Sequence, residues 1–187
     1  MGCEVLTFGL PEWDFHRHEH RRAFFDLLYT TKPKDILLAP PCSSWSQLQR
    51  TNQRSLQQVD NLRFKRNRDE DLMIFTRQVL EAQDAGGRYA HIENPRQSAA
   101  WDLPCFQNMP GGKTTIHQCA YGLRHPLNDM PIKKPTTFHS NKPSFLVMLR
   151  DRCTCTSPHA VLQGYVAGHG PLSKYAENYP KGLATRL

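Results

Sequence analysis

Asp35-Ile36-Leu37-Leu38-Ala39-Pro40-Pro41-Cys42-Ser43 is the stretch that decides how this chain folds. The apolar run after Asp35 reads as a buried strand. Two prolines stop it abruptly, because proline has no N–H to give a strand ladder. Cys42 therefore sits on a stiff loop at the strand's carboxyl end, the edge where open α/β sheets bind ligands. The pattern recurs in Tyr89-Ala90-His91-Ile92, a second predicted strand, which ends in Glu93-Asn94-Pro95. One strand delivers a thiol and the other a carboxylate to one rim. A thiolate is a nucleophile, and a nearby carboxyl group can protonate what it attacks. The plainer reading is a small packing cysteine, with Glu93 capping a helix that starts near Pro95.

Working outward, residues 5–8 read as a short strand and residues 20–29 as a helix, with Ala23, Phe24, Leu27 and Leu28 at helical spacing. Residues 45–59, rich in Ser, Gln, Asn and Arg, read as a mobile polar loop. A long helix over 60–85 is stopped by Gly86-Gly87. Residues 114–118 and 136–139 read as strands, 144–152 as a short helix, and 173–187 as a terminal helix interrupted at Pro180. The alternation of strands and helices predicts an α/β fold with a mainly parallel sheet. A chain of 187 residues suits a single domain, 1–112 forming the α/β core and 113–187 a smaller, less regular part.

No apolar run is long enough for a membrane span, and Met1-Gly2-Cys3-Glu4 does not begin a signal peptide. These features point to an intracellular protein, nuclear or cytoplasmic. Its six cysteines are then reduced thiols or metal ligands rather than a disulfide framework. The net charge of +7 favours an anionic partner, nucleic acid first, although a basic surface also serves solubility.

Pro40-Pro41-Cys42 and Glu93-Asn94, each at a strand end and in this order, resemble the catalytic motifs of cytosine-C5 DNA methyltransferases. The family's Rossmann-like fold and its cofactor, S-adenosylmethionine, are what the resemblance implies. So are Cys42 as a nucleophile that adds to the base and Glu93 as the group on the ring nitrogen. The target base must leave the duplex to reach such a site. A longer series covers nearly the whole chain: Trp13-Asp14-Phe15, residues 39–46, Glu93-Asn94-Pro95 with Ser98 and Trp101, residues 118–122, Lys134-Pro135-Thr136, and Cys153 with His159 and Gly164. It is similar to the methyltransferase-like domains of retroelement polyproteins and of large algal protein families. Asp14 would contact the cofactor's adenine, with Pro40 beside it. Ser43, Trp45, Gln47, Arg50, Arg54 and Asn94 would meet nucleic acid, with Trp45, Gln47 and Gln49 placed to enter the gap left by a flipped base.

The chain also departs from that pattern. The family begins with a strand and a glycine-rich turn, and here Met1 falls downstream of both. Two explanations compete: the chain is a fragment or half of a split protein whose partner supplies that strand, or it is a whole protein that does not bind S-adenosylmethionine. The family's later Gln-x-Arg-x-Arg motif fails too, since Gln118 is followed by Cys119, Ala120 and Tyr121, with Arg124 too late.

Cys153, Cys155 and His159 pack three soft ligands into a short stretch, and Cys119 is a candidate fourth, with His125 and His139 in reserve. Such a set suits a closed tetrahedral zinc site of structural role. Cys3 and Cys105 read as packing residues, and the alternating His16, His18 and His20 as an exposed polar run. Arg63, Lys65, Arg66 and Arg68 could follow a phosphate backbone, or could be a solvated helix face, since Asp69, Glu70 and Asp71 follow at once. Three functions stay open: a methyltransferase-like enzyme, a non-catalytic nucleic-acid-binding module of a mobile element, and a zinc-stabilised interaction domain.

Overall fold

The computed structural model describes residues 5–50 and 55–187, with only the backbone at Arg50. Arg54 and Cys3, singled out above, lie outside the described residues. Helix α1 (His18–Thr31) leads into strand β1 (Asp35–Leu38). After two 3₁₀ turns, Ser43–Trp45 and Gln47–Arg50, comes helix α2 (Leu56–Ala85), then β2 (Tyr89–Pro95), β3 (Gly112–His117) and β4 (Pro135–Ser140). Short elements close the chain: α3 (Pro143–Met148), the strand pair β5 (Tyr165–Val166) and β6 (Gly170–Pro171), α4 (Leu172–Tyr175) and α5 (Lys181–Ala184).

The sheet has the order β1-β2-β4-β3. Only the β1–β2 pairing is parallel; β2–β4 and β3–β4 are antiparallel. The expected mainly parallel sheet is therefore corrected to a mixed one. β4 enters between β2 and β3 in the reverse direction. The expectation rests on the order of strands and helices, and a short run of alternating residues carries no information about strand direction. Gly111, at φ +104°, starts β3 so close to β4 that a Cβ there would come within 2.6 Å of the Asn141 Cα.

Two layers cover the sheet. Helix α2 buries Leu62, Leu72, Met73, Thr76, Val79, Leu80 and Gln83, a helical stripe. Met73 and Leu80 meet Ala90 and Ile92 of β2, together with Trp45, Trp101 and Phe106. The buried Gln83 amide donates to the carbonyls of Pro33 and Tyr89 and ties the helix end to the start of both parallel strands. On the other face Phe138, Phe145, Leu149, Leu183 and Ile116 form a second cluster. His91 belongs to this face and stacks on Phe145 at 3.8 Å.

Residues 5–8 form no strand. Phe8 instead packs edge-on against Trp13 and Phe24, so aromatic burial fixes this stretch. The polar stretch after Cys42 is not a plain loop, for it forms two 3₁₀ turns and then the start of α2, whose Ser55 side chain caps Gln58 N–H. The helix expected over 144–152 ends at Met148, and the terminal helix is two single turns either side of Pro180. Among the described residues, no helix is long and apolar enough to cross a membrane.

Candidate functional site

The parallel register pairs Leu38 with Ile92, so the chain leaves β1 level with Glu93. Asn94 then joins the two strand ends. Its buried amide donates to the Pro40 carbonyl at 3.2 Å, and its own Oδ1 is buried without a partner. Asn94 is thus a structural link between the two motifs rather than an exposed contact.

The loop carrying Cys42 is anchored from α2. The Ser44 hydroxyl donates to the buried Asp69 carboxylate, and Arg66 Nε donates to the Ser44 carbonyl at 3.0 Å. Sequence reasoning read Asp69 as part of a solvated acidic run; the structure makes it the loop's anchor. Trp45 is 5% exposed and packed in the core, with the Arg66 guanidinium 5.4 Å from its ring centre. It is therefore not free to enter a gap in a duplex, which corrects that expectation. Gln49 is held by a bond from Nε2 to the Ser43 carbonyl, whereas Ser43 and Gln47 are exposed beside Cys42.

Cys42 and Glu93 face each other electrostatically. Burial raises the Cys42 thiol above its ordinary value, the Glu93 charge raises it further, and the Lys134 cation opposes both. Burial likewise raises the Glu93 carboxyl, against the pull of Lys134 and of the Tyr179 hydroxyl. The Tyr179 phenol is itself pushed up by burial, by Glu93 and by Cys42. Burial disfavours the charged form of both groups, and an ionised Glu93 further disfavours the Cys42 thiolate. Lys134 and Tyr179 were missed as site residues. A tyrosine in an irregular tail carries no motif, and only the fold brings it to β2.

Asp14 and Pro40 hold local structure. Asp14 Oδ1 accepts the His16 N–H, and its own N–H donates to His20 Nδ1. Of the histidine run, His16 also lies 3.8 Å from Asp69, and His18 is exposed. A groove of about 360 Å³ runs between Trp45 and α2, lined by Arg63, Arg66, Asn67, Glu70, Val59 and Leu103.

The second half brings Cys119, Cys153, Cys155 and His159 together, their ligand atoms all within 4.8 Å of one another. Cys153 Sγ and His159 Nε2 are 3.2 Å apart. Tetrahedral zinc would set two sulfur ligands about 3.8 Å apart and a sulfur and an imidazole nitrogen about 3.5 Å apart, so small shifts would convert the cluster into a closed coordination shell. Burial and the two neighbouring thiols push the Cys119 thiol up to about 12, while the Cys155 backbone N–H draws Cys153 down. His125 and His139 stay apart: His125 Nδ1 accepts the Leu127 N–H, and His139 Nε2 pairs with the Pro110 carbonyl. Cys105 packs beside the α2 core, as expected. Compared with family models, with curated proteins and with solved structures, the chain matches none of them.

Proposed function

We propose that this chain is a cytosine-C5 DNA methyltransferase-like domain in which Cys42 and Glu93 act on a base swung out of a nucleic acid strand. The observation that carries the reading is the β1–β2 rim, where two parallel strands end level with each other and bring the Cys42 thiol within electrostatic reach of the Glu93 carboxyl group. Moving the proton from Cys42 to Glu93 leaves the net charge unchanged and yields the two reactive forms at once, thiolate and carboxylic acid. The thiolate adds to C6 of cytosine, and the carboxylic acid gives its proton to N3. C5 becomes nucleophilic as an enamine carbon. Reversal returns the N3 proton to Glu93 and expels the thiolate. The Lys134 cation favours the charged forms of both Cys42 and Glu93.

S-adenosylmethionine is the methyl donor the resemblance implies, and it would supply an electrophilic methyl group to C5. Asp14 and Pro40 are the residues assigned to it, although both already serve their own turns. β1 lies at the margin of the sheet, so its outer edge is where a strand from a partner segment would add. The groove beside Trp45, with Arg63 and Arg66 next to the Cys42 loop, supports a strand of DNA as the partner. Zinc in the Cys119, Cys153, Cys155 and His159 cluster would be structural, since all four positions are filled by protein.

The second reading is a nucleic-acid-binding module without chemistry, and the raised Cys42 thiol favours it. One assay separates the two. Addition at C6 makes C5 exchange its hydrogen with solvent, with no methyl donor needed. DNA carrying [5-³H]cytosine should release tritium with the wild type and not with Cys42→Ser, while salt-sensitive DNA binding persists in both. Release that survives Cys42→Ser, or none with the wild type, rejects the enzyme reading.

A further inference from the structure

We propose that the groove between Trp45 and α2 is a seat for one phosphate of a nucleic acid strand, held by the Arg63 and Arg66 guanidiniums and by the Trp45 indole N–H. The inference rests on the nucleic acid reading above for its partner, and on no reaction at Cys42.

The indole is the first observation. Trp45 is 5% exposed and packs with Met73 and Leu80, yet its Nε1–H is buried without a hydrogen-bond partner. Trp101, in the same cluster, shows the ordinary solution, for its Nε1–H donates to the Pro95 carbonyl at 3.0 Å. A buried N–H without an acceptor is costly, and folded chains rarely keep one. Trp45 also lines the groove of about 360 Å³. The chain itself gives that N–H no oxygen, so its acceptor is one that enters the groove.

The second observation is what else lines the groove. Val59, Arg63, Arg66 and Glu70 recur at three- and four-residue steps, one stripe along α2. Two contacts fix Arg66. Its Nε donates to the Ser44 carbonyl at 3.0 Å, and its guanidinium carbon lies 5.4 Å from the Trp45 ring centre. Neither Arg63 nor Arg66 joins an ion pair among the described residues, whereas Arg68 pairs with Asp69 and Arg77 with Glu81. Glu70 is the acid among the described lining residues, so two cations face one carboxylate. Guanidiniums fit phosphate oxygens as a fork, and the indole N–H adds a further donor. The groove is far roomier than a phosphate alone needs, and Val59 and Leu103 offer the attached sugar an apolar wall.

The indole N–H is shut off from water, and the Arg66 guanidinium lies over the same ring. A phosphate that draws the Arg66 head group toward itself opens the way to that N–H. Ser44, whose carbonyl holds Arg66, follows Cys42 by two residues, so a strand seated here passes beside the Cys42 loop.

The test follows the indole N–H signals of the ¹⁵N-labelled chain, assigned sequence-specifically, as a short single-stranded DNA is added. The Trp45 signal should move downfield and saturate, while the Trp101 signal, already bonded, stays in place. The same strand with an uncharged methylphosphonate backbone should leave Trp45 unmoved, and inorganic phosphate at matched concentration should do little. Arg63→Ala, at an exposed position, should weaken the DNA titration about three- to tenfold. A Trp45 signal that stays still throughout the DNA titration overturns the proposal. So does an equal shift with methylphosphonate DNA, or an Arg63→Ala chain that titrates as wild type. Saturation by inorganic phosphate at concentrations where the strand fails also overturns it, because the groove would then serve a free anion. Tritium release is a separate readout: where it is absent while Trp45 moves, only the enzyme reading falls.

Discussion

The rim at Cys42 and Glu93 and the cluster at Cys119, Cys153, Cys155 and His159 both crowd groups that become anionic, and they resolve the repulsion differently. At the rim, burial favours the protonated form of both groups, and a cation and a phenol stand by. At the cluster, three thiols and an imidazole lie within 4.8 Å, an arrangement that a divalent ion neutralises at once by displacing protons. The first arrangement leaves a reactive group with a movable proton. The second consumes its reactivity in holding the chain. The lesson is that a cysteine's neighbours, rather than its exposure, separate a chemical thiol from a structural one.

The largest expected effect breaks the comparison on the metal side. Protein purified with zinc should carry about one ion per chain by elemental analysis. Stripping it with a strong chelator should lower Tm by about 10 °C or more, because binding energy at such sites is folding energy. Cys155→Ser should do the same, and Cys42→Ser should leave both metal content and Tm near wild type. A Tm indifferent to chelator would remove the distinction drawn above.

The next effect is on the rim and depends on pH. Glu93 titrates above its ordinary value of 4.5 in the folded chain. The folded state therefore keeps a proton that the unfolded chain gives up. That contribution is complete below about pH 4.5 and is lost as pH rises through the folded value. Glu93→Gln should thus raise Tm by roughly 2–4 °C at pH 8, the equivalent of about 1 kcal/mol, and bring no gain at pH 4. Thermal scans of both proteins at the two pH values check it. An equal gain at both would mean that the carboxyl group is not buried as described.

The smallest effect concerns the groove next to the rim. Arg66→Ala should reduce the salt slope of DNA binding, log K against log salt, by about one, since one phosphate contact would be lost. Because Arg66 also bonds Ser44, a change in Cys42 alkylation without a change in slope would confine it to bracing the loop.

What could be read in the sequence follows from how local each signal is. The two prolines after Leu38, the stripe on α2 and the Gly86-Gly87 stop are written in consecutive residues, and β1, α2 and β2 form where those signals put them. Cys119 was paired with Cys153, Cys155 and His159 because ligand chemistry narrows the choice to few residues. The reversed direction of β4 was not legible, because alternation is the same in either direction. Nor was Trp45's burial, since a tryptophan among polar residues gives no sign of which side it turns to. Asp69 looked like one acid among three, and only the Ser44 bond shows its role. Tyr179 and Lys134 reach Glu93 from distant parts of the chain, by packing alone.

The two prolines after β1 also bear on how the molecule behaves in a crowded solution. Among the described residues β1 pairs only with β2, so its other side presents free backbone groups, a template on which like strands can stack. That template is four residues long and begins at the charged Asp35. It cannot lengthen past Leu38, because Ala39 is followed by Pro40 and Pro41, neither of which has an N–H to offer. The device that stiffens the Cys42 loop thus also shortens the open edge, and with it the risk of chains gathering edge to edge.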